Sequence, residues 1–102
     1  MCIEIFTMEK AQRLFYTGRV QGVGFRYSVK QLSAGFEVTG TVRNLPDGRV
    51  ELQVQGEESE MAALLEAVRK SHLKGFIREI EGYDIPVDPS LRGFSILNGS
   101  GS

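Results

Sequence analysis

Gly40-Thr-Val-Arg-Asn44-Leu-Pro-Asp-Gly48-Arg-Val50-Glu-Leu52-Gln-Val54-Gln55 reads as two strands joined by a tight turn. From Arg49 to Gln55, Val50, Leu52 and Val54 alternate with Arg49, Glu51, Gln53 and Gln55. A period of two means one buried face and one wet face. Strands buried on both faces read as continuous apolar runs instead, so the pattern predicts an antiparallel sheet. The preceding strand, Glu37 to Asn44, carries Val38, Gly40 and Val42 on one face. Glu37, Thr39, Thr41 and Arg43 lie on the other. Between the strands, Pro46 presets φ and Asp47-Gly48 suits a tight hairpin turn.

Working outward, Ala11 to Thr17 reads as a strand and Phe25 to Ala34 as a helix, with Phe25, Val29 and Leu32 at helical spacing. After Gly56, acidic Glu57, Glu58 and Glu60 open a second helix and Arg69 and Lys70 close it, complementing its dipole. Met61, Leu64, Leu65 and Val68 form its apolar stripe. Phe76 to Ile85 is a fourth strand, Pro86 to Leu91 a loop, and Gly93 to Leu97 a short final strand. Two helices with apolar stripes can both bury against one face of an antiparallel sheet. The expected fold is therefore α+β, a ferredoxin-like βαββαβ sandwich with a short extra C-terminal strand. Residues 1 to 10 are expected to be a mobile lead-in, 11 to 97 the single domain, and 98 to 102 a flexible tail.

The balance of charge narrows the function. Lys plus Arg number 12 against 13 Asp plus Glu, a net charge of −1. That argues against a broad nucleic-acid or membrane surface, so any attraction for anions must be local. One cysteine, Cys2, excludes an internal disulfide and a cysteine-based metal cluster. Met1 to Phe6 is short for a signal peptide and carries Glu4, and no apolar run reaches transmembrane length. The expectation is a cytoplasmic monomer.

Local attraction has an obvious seat in Gly18-Arg-Val-Gln-Gly22-Val-Gly24-Phe-Arg26, which lies between the first strand and the first helix. Glycines allow φ > 0 and a close approach of backbone to ligand. N–H groups at a helix start lack partners and favour anions. Arg26, on the first helical turn, adds a planar fork suited to phosphate oxygens. The stretch lacks the Gly-Lys-Ser/Thr of a Walker loop, and Tyr27 stands where a dinucleotide fingerprint needs its third glycine. Strand parity supplies a partner. Asn44 shares the phase of Val38 and Val42, so it should point to the helix side, beside the loop. An amide there can orient water without acting as a base.

These runs, with Val50-Glu-Leu52 and Gly93-Phe-Ser-Ile96, resemble the acylphosphatase family, small ferredoxin-like hydrolases of carboxyl-phosphate bonds. The resemblance spans about residues 11 to 97. It implies catalytic roles for Arg26 and Asn44. It also implies a phosphate cradle of the N–H groups of Gln21, Gly22, Val23, Gly24 and Phe25. The substrate would be a small acyl phosphate, with inorganic phosphate as product and competitor. Neither metal, cofactor nor phosphoenzyme is implied. The chain departs from the family at Thr41 and Ser28, where bulkier or aromatic residues are common, and at Glu37, where a glycine is usual.

Two other readings stay open. A non-catalytic relative that binds an anion or a partner protein would carry the same residues. Ferredoxin-like sheets also bind RNA through aromatics on the open face, but Arg49, Glu51, Gln53 and Gln55 offer none. Of the remaining residues, Tyr27 is expected to pack at the helix start. His72 should be a surface cation near a helix end.

Overall fold

The computed structural model describes residues 9–98. Its elements are β1 (Glu9–Gly18), α1 (Phe25–Ser33), β2 (Val38–Asn44), β3 (Val50–Glu57), α2 (Glu58–Lys70), a 3-10 turn (His72–Phe76), β4 (Ile77–Ile85) and β5 (Phe94–Ile96). The βαββαβ order is thus the one expected, with the short extra strand at the end. β1 begins at Glu9 rather than Ala11, so Glu9 and Lys10 belong to the sheet and not to the lead-in. The rest of that lead-in, and the tail beyond Asn98, lie outside the described residues.

The sheet order is β4-β1-β3-β2-β5. β1 pairs antiparallel with β3 and β4, and β2 antiparallel with β3. β5 instead runs parallel to β2, with Gly40 opposite Phe94 and Val42 opposite Ile96. The sheet is therefore mixed, not purely antiparallel. The chain leaves β4 at one edge and returns at the other, and that long crossing lets its last strand run alongside β2.

Leu14 and Tyr16 of β1 face Leu52 and Val50 of β3 across the ladder, and all four are buried. Val42, Val54, Phe25, Val29, Met61, Leu64, Val68 and Leu73 complete one core. The apolar stripes of α1 and α2 therefore close on one face of the sheet. α1 lies over β2 and β5, and α2 over β3 and β1. Removing a side chain such as Leu64 from this core should cost about 2–5 kcal/mol.

The opposite face is less open than its polar residues suggest. Glu51 is pinned between Arg43, at 2.6 Å, and Arg13, at 3.2 Å. Arg49 stacks 4.5 Å over the Phe15 ring, and Phe15 meets Tyr83 edge-on at 6.1 Å. Gln55, on the wet side of its strand, is only 6% exposed. The crossing loop covers it: Gln55 Nε2 donates to Asp88 O at 2.8 Å, and Asp88 N–H donates back to Oε1 at 2.9 Å.

Candidate active site

The Gly-rich segment between β1 and α1 is shaped by its glycines. Gly22 and Gly24 have φ of 80° and 76°, in the left-handed region. A Cβ at either would meet nothing within 4 Å, so both face open space. Gly24 caps α1 with no side-chain hydrogen bond. Hydrogen bonding of the helix starts with Ser28 N–H to Gly24 O at 3.0 Å. Among the described residues, the N–H groups of Gln21 through Tyr27 meet no acceptor. Partnerless donors at a helix start carry partial positive charge.

These residues border a cleft of about 160 Å³, lined by Val20, Gly22, Gly24, Phe25, Arg26, Tyr27, Asn44 and Ile96. Val20 and Phe25 are its buried floor. Tyr16 supports that floor, its ring 5.0 Å from that of Phe25; burial pushes its phenol pKa well above the ordinary value. Arg26 Nη1 donates a long bond, 3.4 Å, to Leu97 O just beyond β5. No carboxylate lies within ion-pair distance of Arg26 among the described residues. Its charge therefore remains available to a ligand. Asn44, the last residue of β2, joins the cleft from the side its parity predicts.

Gln21 and Val23 enter differently. Val23 packs against the core. The Gln21 side chain turns away to the β2–β3 connection, where Nε2 donates to Leu45 O at 2.8 Å and to Arg49 O at 2.9 Å. In the sequence Gln21 had only a backbone role. Nothing local marks its amide as a clamp, because both acceptors are main-chain atoms of a distant turn. Leu97 O and Ile96 were equally hidden, since their place depends on the register of β5. Tyr27, expected to pack, is 61% exposed at the cleft. His72 is exposed as expected, and its Nε2 lies 3.2 Å from Ser28 Oγ.

A larger cleft, about 590 Å³, sits at the far end of β2 and β3. Glu9, Glu37, Glu57 and Glu60 contribute to its lining, with no Lys or Arg. Those carboxylates would repel a phosphate, so the smaller cleft is the chemically suited one. No group of His, Cys, Asp or Glu among the described residues is arranged to hold a metal ion. No helix among them is long and apolar enough to cross a membrane.

Comparison with known proteins agrees with this architecture. The Acylphosphatase family profile matches residues 12–96. An acylphosphatase of Clostridium acetobutylicum is 38% identical over 80 residues, covering 78% of this chain and 88% of the relative. One from Chlorobaculum tepidum is 37% identical over 89 residues, covering 87% and 97%. The crystal structure of the Bacillus subtilis acylphosphatase superposes with a TM-score of 0.78 at 33% identity, over 86% of this chain and 98% of that one. With a profile match over most of its length and relatives alike over nearly theirs, the chain belongs to the acylphosphatase family.

Proposed function

We propose that this enzyme hydrolyses the carboxyl-phosphate bond of acyl phosphates by direct attack of water on phosphorus. The N–H groups of Gln21 to Phe25 and the guanidinium of Arg26 hold the phosphoryl oxygens. The Asn44 amide orients the water. The P–O bond to the acyl group breaks, the carboxylate leaves with the electron pair, and inorganic phosphate remains. What supports this reading is one convergence: partnerless backbone donors, a cation without a carboxylate partner and a free amide border the same cleft.

The leaving group explains why so sparse a site suffices. Phosphoryl transfer is mostly positioning and electrostatic stabilisation of the equatorial oxygens. A carboxylate has a pKa of about 4 and departs as an anion without a general acid. No carboxylate or imidazole lines the cleft to serve as a base. The proton of the attacking water passes to a phosphoryl oxygen. Every group this step needs comes from one chain, so it calls for neither a cofactor nor a second subunit.

The test is hydrolysis of acetyl phosphate by wild type and Arg26→Ala, with inorganic phosphate as competitor. Removing one preorganised donor typically lowers kcat about 10²–10³-fold, and loss of the charged Arg26 should cost at least that and abolish competition. A wild type that binds phosphate without turning over substrate would establish the non-catalytic reading instead.

A further inference from the structure

The acyl half of the substrate has its own surface. Among the described residues the exposed large apolar or aromatic side chains are Tyr27, Tyr83, Ile96 and Leu97. Tyr83 is engaged on the opposite sheet face, against Phe15. Tyr27, 61% exposed, and Ile96, 37% exposed, both line the small cleft. They reach it from different elements: Tyr27 from the first turn of α1, Ile96 from β5, opposite Val42.

The two side chains have little other employment. The Tyr27 hydroxyl has only a 3.4 Å contact from Gln31 Nε2. The rest of the lining is either floor, Val20 and Phe25, or polar and glycine-rich, Gly22, Gly24, Arg26 and Asn44. A cleft of about 160 Å³ holding a phosphoryl group leaves an acyl chain to emerge at this rim. The charged group there, Arg26, is committed to the phosphoryl oxygens, so no cation is left for an acyl chain that carries its own carboxylate.

We propose that Tyr27 and Ile96 form an acyl subsite, and that the preferred substrates carry aromatic or bulky apolar acyl groups. The inference rests on the acyl phosphate reading above. Contact between an aromatic acyl group and the Tyr27 ring adds selectivity of roughly two- to tenfold. Binding energy from this remote part of the substrate also helps hold the reacting phosphorus in place.

The test compares benzoyl phosphate with acetyl phosphate on wild type, Tyr27→Ala, Ile96→Ala and Tyr27→Phe. Wild type should favour benzoyl phosphate, chiefly through KM. Each alanine variant should shrink that preference, and Tyr27→Phe should keep it. An unchanged benzoyl-to-acetyl ratio in both alanine variants overturns the subsite. Calorimetry with benzoylphosphonate and acetylphosphonate separates the two readings, because neither ligand is hydrolysed. Selective phosphonate binding without turnover would sink the hydrolase reading and retain the subsite. Equal phosphonate affinities would overturn the subsite whatever the turnover.

Discussion

The side-chain amide of Gln21 donates to the main-chain oxygen of Leu45 at 2.8 Å, so the glycine-rich loop grips the residue directly after Asn44. With the second bond, to Arg49 O at 2.9 Å, it spans both sides of the β2–β3 turn. The two halves of the site are thereby fixed to each other and not only to the sheet.

Gln21→Ala should act through position. Each lost bond costs about 1 kcal/mol of stability. Misplacing the water relative to phosphorus should lower kcat by roughly 10- to 100-fold. Affinity for inorganic phosphate, read as its inhibition constant, should change much less. Equal loss of both would mean that the Gln21 side chain shapes the cradle itself and not the placement of the water.

Asn44→Ala should separate binding from turnover. Asn44 makes no side-chain hydrogen bond among the described residues, so its removal leaves no buried partner stranded. Phosphate inhibition should persist while kcat for acetyl phosphate falls by about 10² or more. An Asn44→Ala enzyme with wild-type kcat would end the water-orienting role.

Glycines at two positions should respond in opposite ways. Gly24→Ala forces a left-handed conformation, at about 1–2 kcal/mol, and its methyl enters open space at the cleft. A folded protein with weakened phosphate binding is expected. At Gly40 a Cβ would lie 2.2 Å from Gln53 O and 2.9 Å from the Phe94 ring. Gly40→Ala should therefore part β2 from β3 and β5, costing ~3 kcal/mol or more. Thermal melts and phosphate titrations distinguish the two effects.

Leaving-group acidity should govern the substrate range. Alkyl phosphate monoesters need a proton donor for the departing alkoxide, and the cleft lining has neither carboxylate nor imidazole to supply one. Acetyl phosphate should be hydrolysed far faster than a simple alkyl phosphate. Comparable kcat/KM values for the two would contradict the mechanism.

Acid should loosen the β2–β3 turn. The backbone N–H of Arg49, and then its guanidinium, hold the Asp47 carboxyl below its usual pKa. A carboxyl whose folded pKa is depressed stabilises above its unfolded value, about 4, and that contribution fades as pH falls through the folded value. Asp47→Asn should therefore lower stability at neutral pH and flatten its further loss below about pH 4, so that the two proteins converge in acid. Denaturant melts across that range measure it. Because Asp47 is exposed, the difference should shrink in high salt.

Local pattern accounts for what the sequence disclosed. Val50, Leu52 and Val54 alternate cleanly because the helices cover one face of β3, and the parity of Asn44 follows from the same pleat. The glycines and Arg26 sit in one short run, where a helix start can be recognised without tertiary context. What stayed hidden depends on distant segments meeting. Three residues of β5 cannot reveal that they run parallel to β2. A period of two puts Gln55 in water, yet the loop at Asp88 buries it. Tyr27 reads as packing because aromatics usually do, while here the cleft leaves it uncovered.

The bond from Arg26 to Leu97 O joins residues 71 apart. At roughly 5–20 residues synthesised per second, the carbonyl that steadies the guanidinium is made roughly 4 to 14 s after the arginine itself. Both edge strands, β4 and β5, also come last in the chain. During translation Arg26 therefore emerges well before its carbonyl partner and before either edge strand. The surroundings of Arg26 are thus complete only once β5 has joined β2.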